Sequence, residues 1–268
     1  KQSIKTKNYR RPVVRSFIGS ILFFIYVVVY TPIHATLLLL VSPFISIRNR
    51  YVFACWWNAI NIRMLRLLCN IQYNIEGMEH LPNTGAIILA KHQSAWETFA
   101  IPANLLPRQL CLVYKKELQY VPFFGWALWV LRMVPIDRKN GVEAFEQVKT
   151  MAGKRMREGA WMMFFPEGTR VPVGYKRRYK TGGTRLAVAT GTPVVPVAHD
   201  AGEYWKRKGF FKKAGTVTLR FGPPISPEGH DADSLMKVVE DWIEGEMHKI
   251  SPHRYSSAET PLVGKGDN

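Results

Sequence analysis

From Ser16 to Ile47 the chain carries no Lys, Arg, Asp or Glu: SFIGSILFFIYVVVYTPIHATLLLLVSPFISI. A straight transmembrane helix uses roughly 20 apolar residues, so this run exceeds one span. Pro32 and His34 interrupt it. A proline inside a helix removes a hydrogen bond and kinks the chain, which predicts two helices joined near Tyr30–His34. Each half alone is short for a hydrocarbon core about 30 Å thick. Lys1, Lys5, Lys7, Arg10, Arg11 and Arg15 precede the run, and Arg48 and Arg50 follow it. Basic flanks favour the cytoplasmic side, so both ends are expected there, as in a hairpin or re-entrant pair; a single span is the competing topology. A cleaved signal peptide fits poorly, because the apolar region is too long and no clear A-x-A site follows. Next, Tyr51–Leu68 carries Trp56, Trp57, Arg63 and Arg66. This segment reads equally well as an interfacial helix or an ordinary packed one.

The charge balance narrows the partners. Lys and Arg number 37 against 20 acidic residues, a formal net charge of +17. Such an excess calls for an anionic partner: nucleic acid, an anionic membrane surface or a phosphorylated substrate. Much of it flanks apolar sequence, and no DNA- or RNA-binding motif is present, so nucleic acid is not expected. Hydrophobic residues make up 47% of the chain, enough for a folded core. Cys55, Cys69 and Cys111 are odd in number and fit no metal spacing, and are read as buried reduced thiols.

After Asn70, short apolar runs alternate with amphipathic stretches. Candidate strands are Ile71–Ile75, Ala86–Ala90, Leu110–Val113, Arg132–Pro135, Trp161–Phe165, Val194–Ala198 and Thr216–Phe221. Candidate helices are Ala95–Leu105, Phe123–Leu131, Val142–Glu158, Gly183–Thr190 and Ala232–Ile250. The alternation predicts an α/β fold: a mixed, largely parallel sheet of about seven strands flanked by helices, preceded by a membrane-embedded helical hairpin. The expected division is residues 1–69 for the basic N-terminus, membrane helix pair and interfacial helix, 70–250 for the α/β domain, and 251–268 for a flexible polar tail.

Two strand ends carry candidate chemistry. Ala86-Ile-Ile-Leu-Ala-Lys-His92-Gln-Ser-Ala-Trp-Glu97 reads as a strand, a polar turn and a helix start. In α/β folds ligands bind beyond the carboxyl ends of strands, where His92 would stand. Five positions on a continuous helix turn about 500°, so His92 and Glu97 meet only if His92 precedes the helix. Ser94-Ala-Trp-Glu97 also matches a capping box, and both readings of Glu97 stay open. The second strand end is Phe164-Phe-Pro-Glu167-Gly168-Thr169-Arg170, followed by Lys176, Arg177, Arg178, Lys180 and Arg185. Arg and Lys side chains there suit phosphate or anionic headgroups. The aromatic stretch Val121–Leu131 could line an apolar tunnel, dip into a membrane or be core.

Together these blocks resemble the lysophosphatidic acid acyltransferases, a family of glycerolipid acyltransferases. Four blocks agree in order: the family's H-x4-D as His92-x4-Glu97; K-x2-L-x6-G-x12-R as Lys115, Leu118, Gly125 and Arg138; Phe165-Pro-Glu167-Gly168-Thr169-Arg170; and Val195-Pro196-Val197. The departure is Glu97 in place of Asp.

The resemblance implies direct transfer of a fatty acyl chain from acyl-CoA or an acyl carrier protein to the sn-2 hydroxyl of 1-acylglycerol 3-phosphate, giving phosphatidic acid. His92 would be the general base and Glu97 its orienting carboxylate. Lys115 and Arg170, then Arg138, would hold the acceptor phosphate; Glu167 would position the glycerol backbone or the loop that carries it, and Gly168 and Thr169 of the same turn would be substrate-binding. No cofactor or metal is implied beyond the thioester co-substrate. The expected partners are lysophosphatidic acid, the thioester, anionic membrane lipids and, where it is the donor, acyl carrier protein. The expected location is a membrane, with the catalytic domain on the cytoplasmic face of a bacterial inner membrane. The alternatives are another lysolipid acceptor such as a lyso-aminolipid, a non-catalytic lipid-binding protein, and a metal hydrolase built on His92, Glu97 and His199.

Overall fold

In a computed structural model, residues 10–137, 141–256 and 260–263 are described. Seven strands form one sheet: β1 (Ile71–Glu76), β2 (Ile87–Ala90), β3 (Leu110–Lys115), β4 (Val134–Ile136), β5 (Trp161–Phe164), β6 (Val194–His199) and β7 (Gly215–Phe221). Their order is β1-β7-β6-β2-β5-β3-β4. β6 and β7 are antiparallel, and the other neighbours are parallel. Each predicted strand is present, with ends moved by a few residues. The central strands β2 and β6 are buried throughout, which explains their unbroken apolar runs: strands covered on both faces need no polar alternation.

Seven α-helices are present among the described residues: α1 (Arg10–Val41), α2 (Ile47–Cys69), α3 (Trp96–Asn104), α4 (Phe124–Val130), α5 (Gly141–Arg157), α6 (Gly182–Thr190) and α7 (Ala232–Ile250). α7 starts with a capping box in which Asp231 and Ser234 exchange side-chain and backbone hydrogen bonds. It buries Leu235, Met236, Val239 and Ile243, each worth about 1.5–3 kcal/mol when fully removed from water.

The N-terminal region departs from its expected outline. α1 runs unbroken through Tyr30–His34 with Pro32 inside it. The chain turns instead at Ser42–Ser46, so the helical pair is α1 with α2. Proline costs α1 one hydrogen bond, but a neighbouring helix can hold such a segment straight. Here α2 supplies that neighbour. His34 Nε2–H donates to the Phe53 carbonyl at 3.0 Å, and the Tyr30 hydroxyl lies 3.1 Å from His34 Nδ1. Farther along, a Cβ on Gly19 would fall 2.0 Å from the Leu68 carbonyl oxygen, so the two backbones touch where only glycine fits.

The one described helical segment long and apolar enough to cross a membrane, Ser16–Phe44, takes in most of α1 and the short turn after it, with mean hydropathy 2.0. One face packs on the domain through Phe23, Ala35 and Leu38; the other exposes Ile18, Leu22, Ile25, Val29 and Leu40. α2 packs on the domain, burying Cys55, Ile62 and Leu65, while exposing Trp56.

Of the segment 251–268, expected to be a loose tail, the described residues 251–256 and 260–263 pack back on the domain. Ser251, Tyr255 and Thr260 are buried. Lys176 N–H donates to the Pro261 carbonyl, and Val263 N–H to the Lys176 carbonyl, each at 2.9 Å. Polarity concealed this because the segment is held by a few hydrogen bonds and one tyrosine rather than by an apolar run.

Candidate active site

β2 ends at Ala90, and the chain then makes the loop Lys91–Ala95 before entering α3. His92 sits in that loop with its side chain 14% exposed. Its Nδ1–H donates to Glu97 Oε1 at 2.8 Å. The same oxygen accepts the N–H groups of Gln93 at 3.0 Å and Ser94 at 2.9 Å. The two readings of Glu97 therefore coincide: one carboxylate oxygen reaches back to the amides before α3 and orients the imidazole. Ser94 does not complete the reciprocal box. Its hydroxyl donates to the Trp205 carbonyl at 2.7 Å and accepts from Trp96 N–H at 3.2 Å.

Glu97 is fully buried, which pushes its carboxyl up, yet nearby His199, the His92 contact and the Ser94 amide outweigh burial and hold it below its ordinary value. The His92 ring is further fixed by stacking on Phe165, with centroids 3.9 Å apart and planes 19° apart. With Nδ1 committed as donor, Nε2 is left as the acceptor of the imidazole.

The Phe165–Arg170 turn grips the backbone of His92. Glu167 Oε2 accepts His92 N–H at 2.9 Å, and Val171 N–H donates to the His92 carbonyl at 2.7 Å. The second bond brings Arg170 to the His92 loop. Behind it, Lys91 is fully buried. Its ammonium lies 2.9 Å from Glu167 and 2.7 Å from Glu244 of α7, and it donates to the Tyr175 carbonyl at 3.2 Å. Tyr179 donates its hydroxyl to Glu244 at 2.8 Å. Burial pushes the Glu167 carboxyl up to about 7, against the pull of Lys91 and the His92 N–H.

A cavity of about 690 Å³ opens beside the imidazole. His92, Lys115 and Arg170 are among its polar lining residues, and Val27, Leu38, Phe99, Ala127, Leu131 and Phe165 among its apolar ones. It therefore joins the sheet's ligand-binding edge to α1, α2 and α4. A largely apolar cavity that also receives an imidazole and two cationic side chains suits an amphiphile with an anionic head.

Not every candidate reaches this cavity. His92, Lys115 and Arg170 do. Lys115 also lies 3.2 Å from Glu117. Glu167, expected to position the glycerol backbone or the loop that carries it, is turned inward against Lys91 and the His92 amide. Burial against an ammonium explains that placement: an unpaired carboxylate there would be costly. Gly168 N–H closes the turn onto the Phe165 carbonyl at 2.9 Å; neither it nor Thr169 lines the cavity. Arg138 lies outside the described residues. The basic stretch after Arg170 disperses, with Lys176 paired to Glu240 at 2.8 Å and Arg185 stacked over Phe145. Phe124 lines the cavity, and Gly125 borders a shallow groove with Leu39, Trp126 and Trp129.

His199 is sealed in the core. Its Nε2–H donates to the Lys91 carbonyl at 2.8 Å and its Nδ1 accepts from Ala201 N–H at 3.3 Å. Both ring nitrogens are thus used, which removes it from the metal-hydrolase reading, and no group of metal-ligating side chains occurs among the described residues. Cys111 is buried and its thiol is pushed up to about 12 by burial, so neither it nor Ser94 presents a nucleophile. Lys91 and Glu244 escaped the sequence reading. The one available signal was a lysine closing an otherwise apolar strand; its partner on α7 is remote in sequence.

Comparison with known proteins places this geometry. Residues 72–200 match the Acyltransferase family model. A 1-acyl-sn-glycerol-3-phosphate acyltransferase of Pseudomonas aeruginosa is 38% identical over 252 residues, covering 92% of this chain and 97% of that protein. The mouse 1-acyl-sn-glycerol-3-phosphate acyltransferase alpha is 27% identical, covering 86% of this chain and 80% of its own. The crystal structure of a 1-acyl-sn-glycerophosphate acyltransferase from Thermotoga maritima shares the fold with a TM-score of 0.73 at 22% identity, covering 89% of this chain and 97% of that one. With a buried carboxylate orienting an imidazole at the sheet edge and 38% identity across nearly its whole length, the chain belongs to the 1-acyl-sn-glycerol-3-phosphate acyltransferase family.

Proposed function

We propose that the protein acylates the sn-2 hydroxyl of 1-acylglycerol 3-phosphate to give phosphatidic acid, with His92 as general base and Glu97 as its orienting carboxylate. The observation that carries the mechanism is the 2.8 Å His92–Glu97 contact beside a cavity lined by His92, Lys115 and Arg170. An alcohol is a weak nucleophile at neutral pH, so a base must take its proton as the bond forms. In the proposed step His92 Nε2 accepts that proton while the oxygen attacks the thioester carbonyl. Glu97 stabilises the resulting imidazolium, as a buried carboxylate does in a hydrolase triad. The tetrahedral intermediate then expels the thiolate, which takes the proton back from His92. Atoms balance without an acyl-enzyme, and the scheme uses no cofactor beyond the thioester.

Lys115 and Arg170 hold the acceptor phosphate in this reading, and the apolar chamber takes an acyl chain. Acyl-CoA and acyl carrier protein both fit the scheme as donors. The catalytic domain is assigned to the cytoplasmic face of a bacterial inner membrane, in keeping with the basic flanks of α1 and the three buried free thiols. A 32-residue helix is about 48 Å long, beyond the roughly 30 Å of a hydrocarbon core. Because α1 touches the domain from Ser20 to Leu38, it is best placed lying in one leaflet, with the domain against anionic headgroups.

Purified protein assayed with lysophosphatidic acid and a lyso-aminolipid, against acyl-CoA and acyl carrier protein thioesters, tests the assignment. Preference for the lyso-aminolipid would overturn the acceptor. A His92→Ala variant within about tenfold of the parent rate would overturn the base, since such a base contributes about 10²–10⁴-fold.

A further inference from the structure

We propose that the loop Trp205–Lys213 is a second membrane-docking element whose partner is an anionic lipid surface; this rests on reading α1 as membrane-embedded. The loop reads Trp205-Lys-Arg-Lys-Gly-Phe-Phe-Lys-Lys213. Phe210 is 41% and Phe211 53% exposed, an unusual state for adjacent large rings in water. Phe211 stacks on Phe17 with centroids 4.8 Å apart, and Phe210 lies 5.4 Å from Phe24. Phe17 and Phe24 are themselves about half exposed. The four rings make one apolar patch, continuous with the side of α1 that exposes Ile18, Leu22 and Ile25. Contiguous exposed patches of this kind mark interaction surfaces.

Basic residues border the patch. Lys206, Lys208 and Lys213 are all exposed. Large apolar rings beside lysines suit the boundary between headgroups and acyl chains, and each lysine near an anionic surface adds attraction. Continuity with a long apolar helix, together with this charge, selects an anionic bilayer over a protein partner.

The loop is tied to α1 and to itself by hydrogen bonds. Lys212 N–H donates to Ser20 Oγ of α1 at 2.8 Å. Its ammonium donates to the Phe210 carbonyl at 2.8 Å and lies 4.6 Å over the Trp205 ring. Gly209 N–H closes a turn onto the Lys206 carbonyl at 2.9 Å, and Lys208 takes a left-handed backbone with φ +57°. Trp205 also receives the Ser94 hydroxyl, so the docking loop stands one hydrogen bond from the loop that carries His92.

The test uses the full chain reconstituted in phosphatidylcholine vesicles with or without phosphatidylglycerol. An environment-sensitive fluorophore is attached at Phe211→Cys, at Ile25→Cys on α1, or at Glu228→Cys in the segment after β7; the three native thiols are buried. Quenching is read with spin-labelled lipids. The expected result is quenching at 25 and 211 but not at 228, stronger at 211 when phosphatidylglycerol is present. A K206Q/K208Q/K213Q variant should lower the ratio of docked to undocked loop by about fivefold per lysine at low salt. Quenching at 25 with none at 211 would overturn the proposal alone. Silence at both would overturn it together with the membrane reading of α1. Quenching at 211 indifferent to phosphatidylglycerol and to the lysines would overturn the anionic partner. Concentration-dependent shielding of 211 in detergent would make the loop a contact between copies instead.

Discussion

The backbone N–H of His92 donates to Oε2 of Glu167 at 2.9 Å. Of the two roles expected of Glu167, the glycerol backbone or a loop, this contact bears on the second: it holds the loop of the base from behind. Glu167→Gln keeps an acceptor for that N–H but gives up the charge facing Lys91; Glu167→Ala loses both. The alanine variant should lower kcat more than the glutamine variant, with KM for lysophosphatidic acid within about threefold of the parent in each, as expected when transition-state placement rather than uniform binding is lost. Steady-state kinetics on the two variants decides this; a selective rise in KM would return Glu167 to the substrate.

Lys91 is wedged between Glu167 and Glu244. Removing one member of a buried ionic cluster strands the others, at a cost of about 3–5 kcal/mol. Lys91→Met should therefore be strongly destabilised in urea titrations in detergent. A Lys91→Met/Glu244→Leu double variant should lose less than the sum of the single losses. Additive losses would show that the pair is not coupled.

The His92–Glu97 pair separates charge from geometry. His92→Ala should lower kcat by about 10²–10⁴-fold. Glu97→Gln can still accept from the Gln93 and Ser94 amides but no longer stabilises an imidazolium, so its loss should be smaller, with the unfolding midpoint nearly unchanged. A Glu97→Gln enzyme at full rate would leave Glu97 as a helix cap alone.

Asp200 follows β6, and its carboxylate accepts Thr218 N–H at 2.8 Å. Burial pushes its carboxyl from 3.8 up to about 7. A carboxyl raised in the folded state holds a proton that the unfolded chain has already released between about pH 4 and 7. Stability from this group therefore falls as pH rises through that window. Asp200→Asn keeps the acceptor and removes the titration. It should gain about 1–3 kcal/mol over the parent at pH 8 and little at pH 4. Equal differences in urea stability at the two pH values would contradict the assignment.

A Cβ on Gly125 would fall 2.2 Å from the Gln119 carbonyl oxygen. Gly125→Ala must therefore displace the 3₁₀ turn Lys116–Tyr120 that follows Lys115, at about 1–3 kcal/mol for overpacking. Ala127 faces the cavity, and Ala127→Phe should fill part of it without touching that turn. Competition assays with mixed-length acyl thioesters should then shift towards shorter chains. Unaltered chain selectivity in a folded Ala127→Phe protein would remove the cavity from acyl binding.

Much of this protein is legible in one dimension. All seven strands and the helices from α3 onward follow from local apolar runs and their periods, because burial on one or both faces leaves a direct imprint on residue order. His92 and Arg170 are likewise readable, since polar residues placed after an apolar strand arrive together at one edge of a parallel sheet, whereas Lys115 is marked only by the resemblance of its block to the family. What required three dimensions were contacts between distant segments. Pro32 announces a break, but packing on α2 carries α1 straight through it. Glu97 reads as either a cap or a catalytic partner, and only the geometry lets one oxygen do both. Lys91 finds Glu244 across 153 residues, and Tyr255 returns from the polar tail to accept a hydrogen bond from Gln93. Local order encodes which side chains are buried; which buried charges compensate one another depends on where the chain returns, and that was decided by the fold.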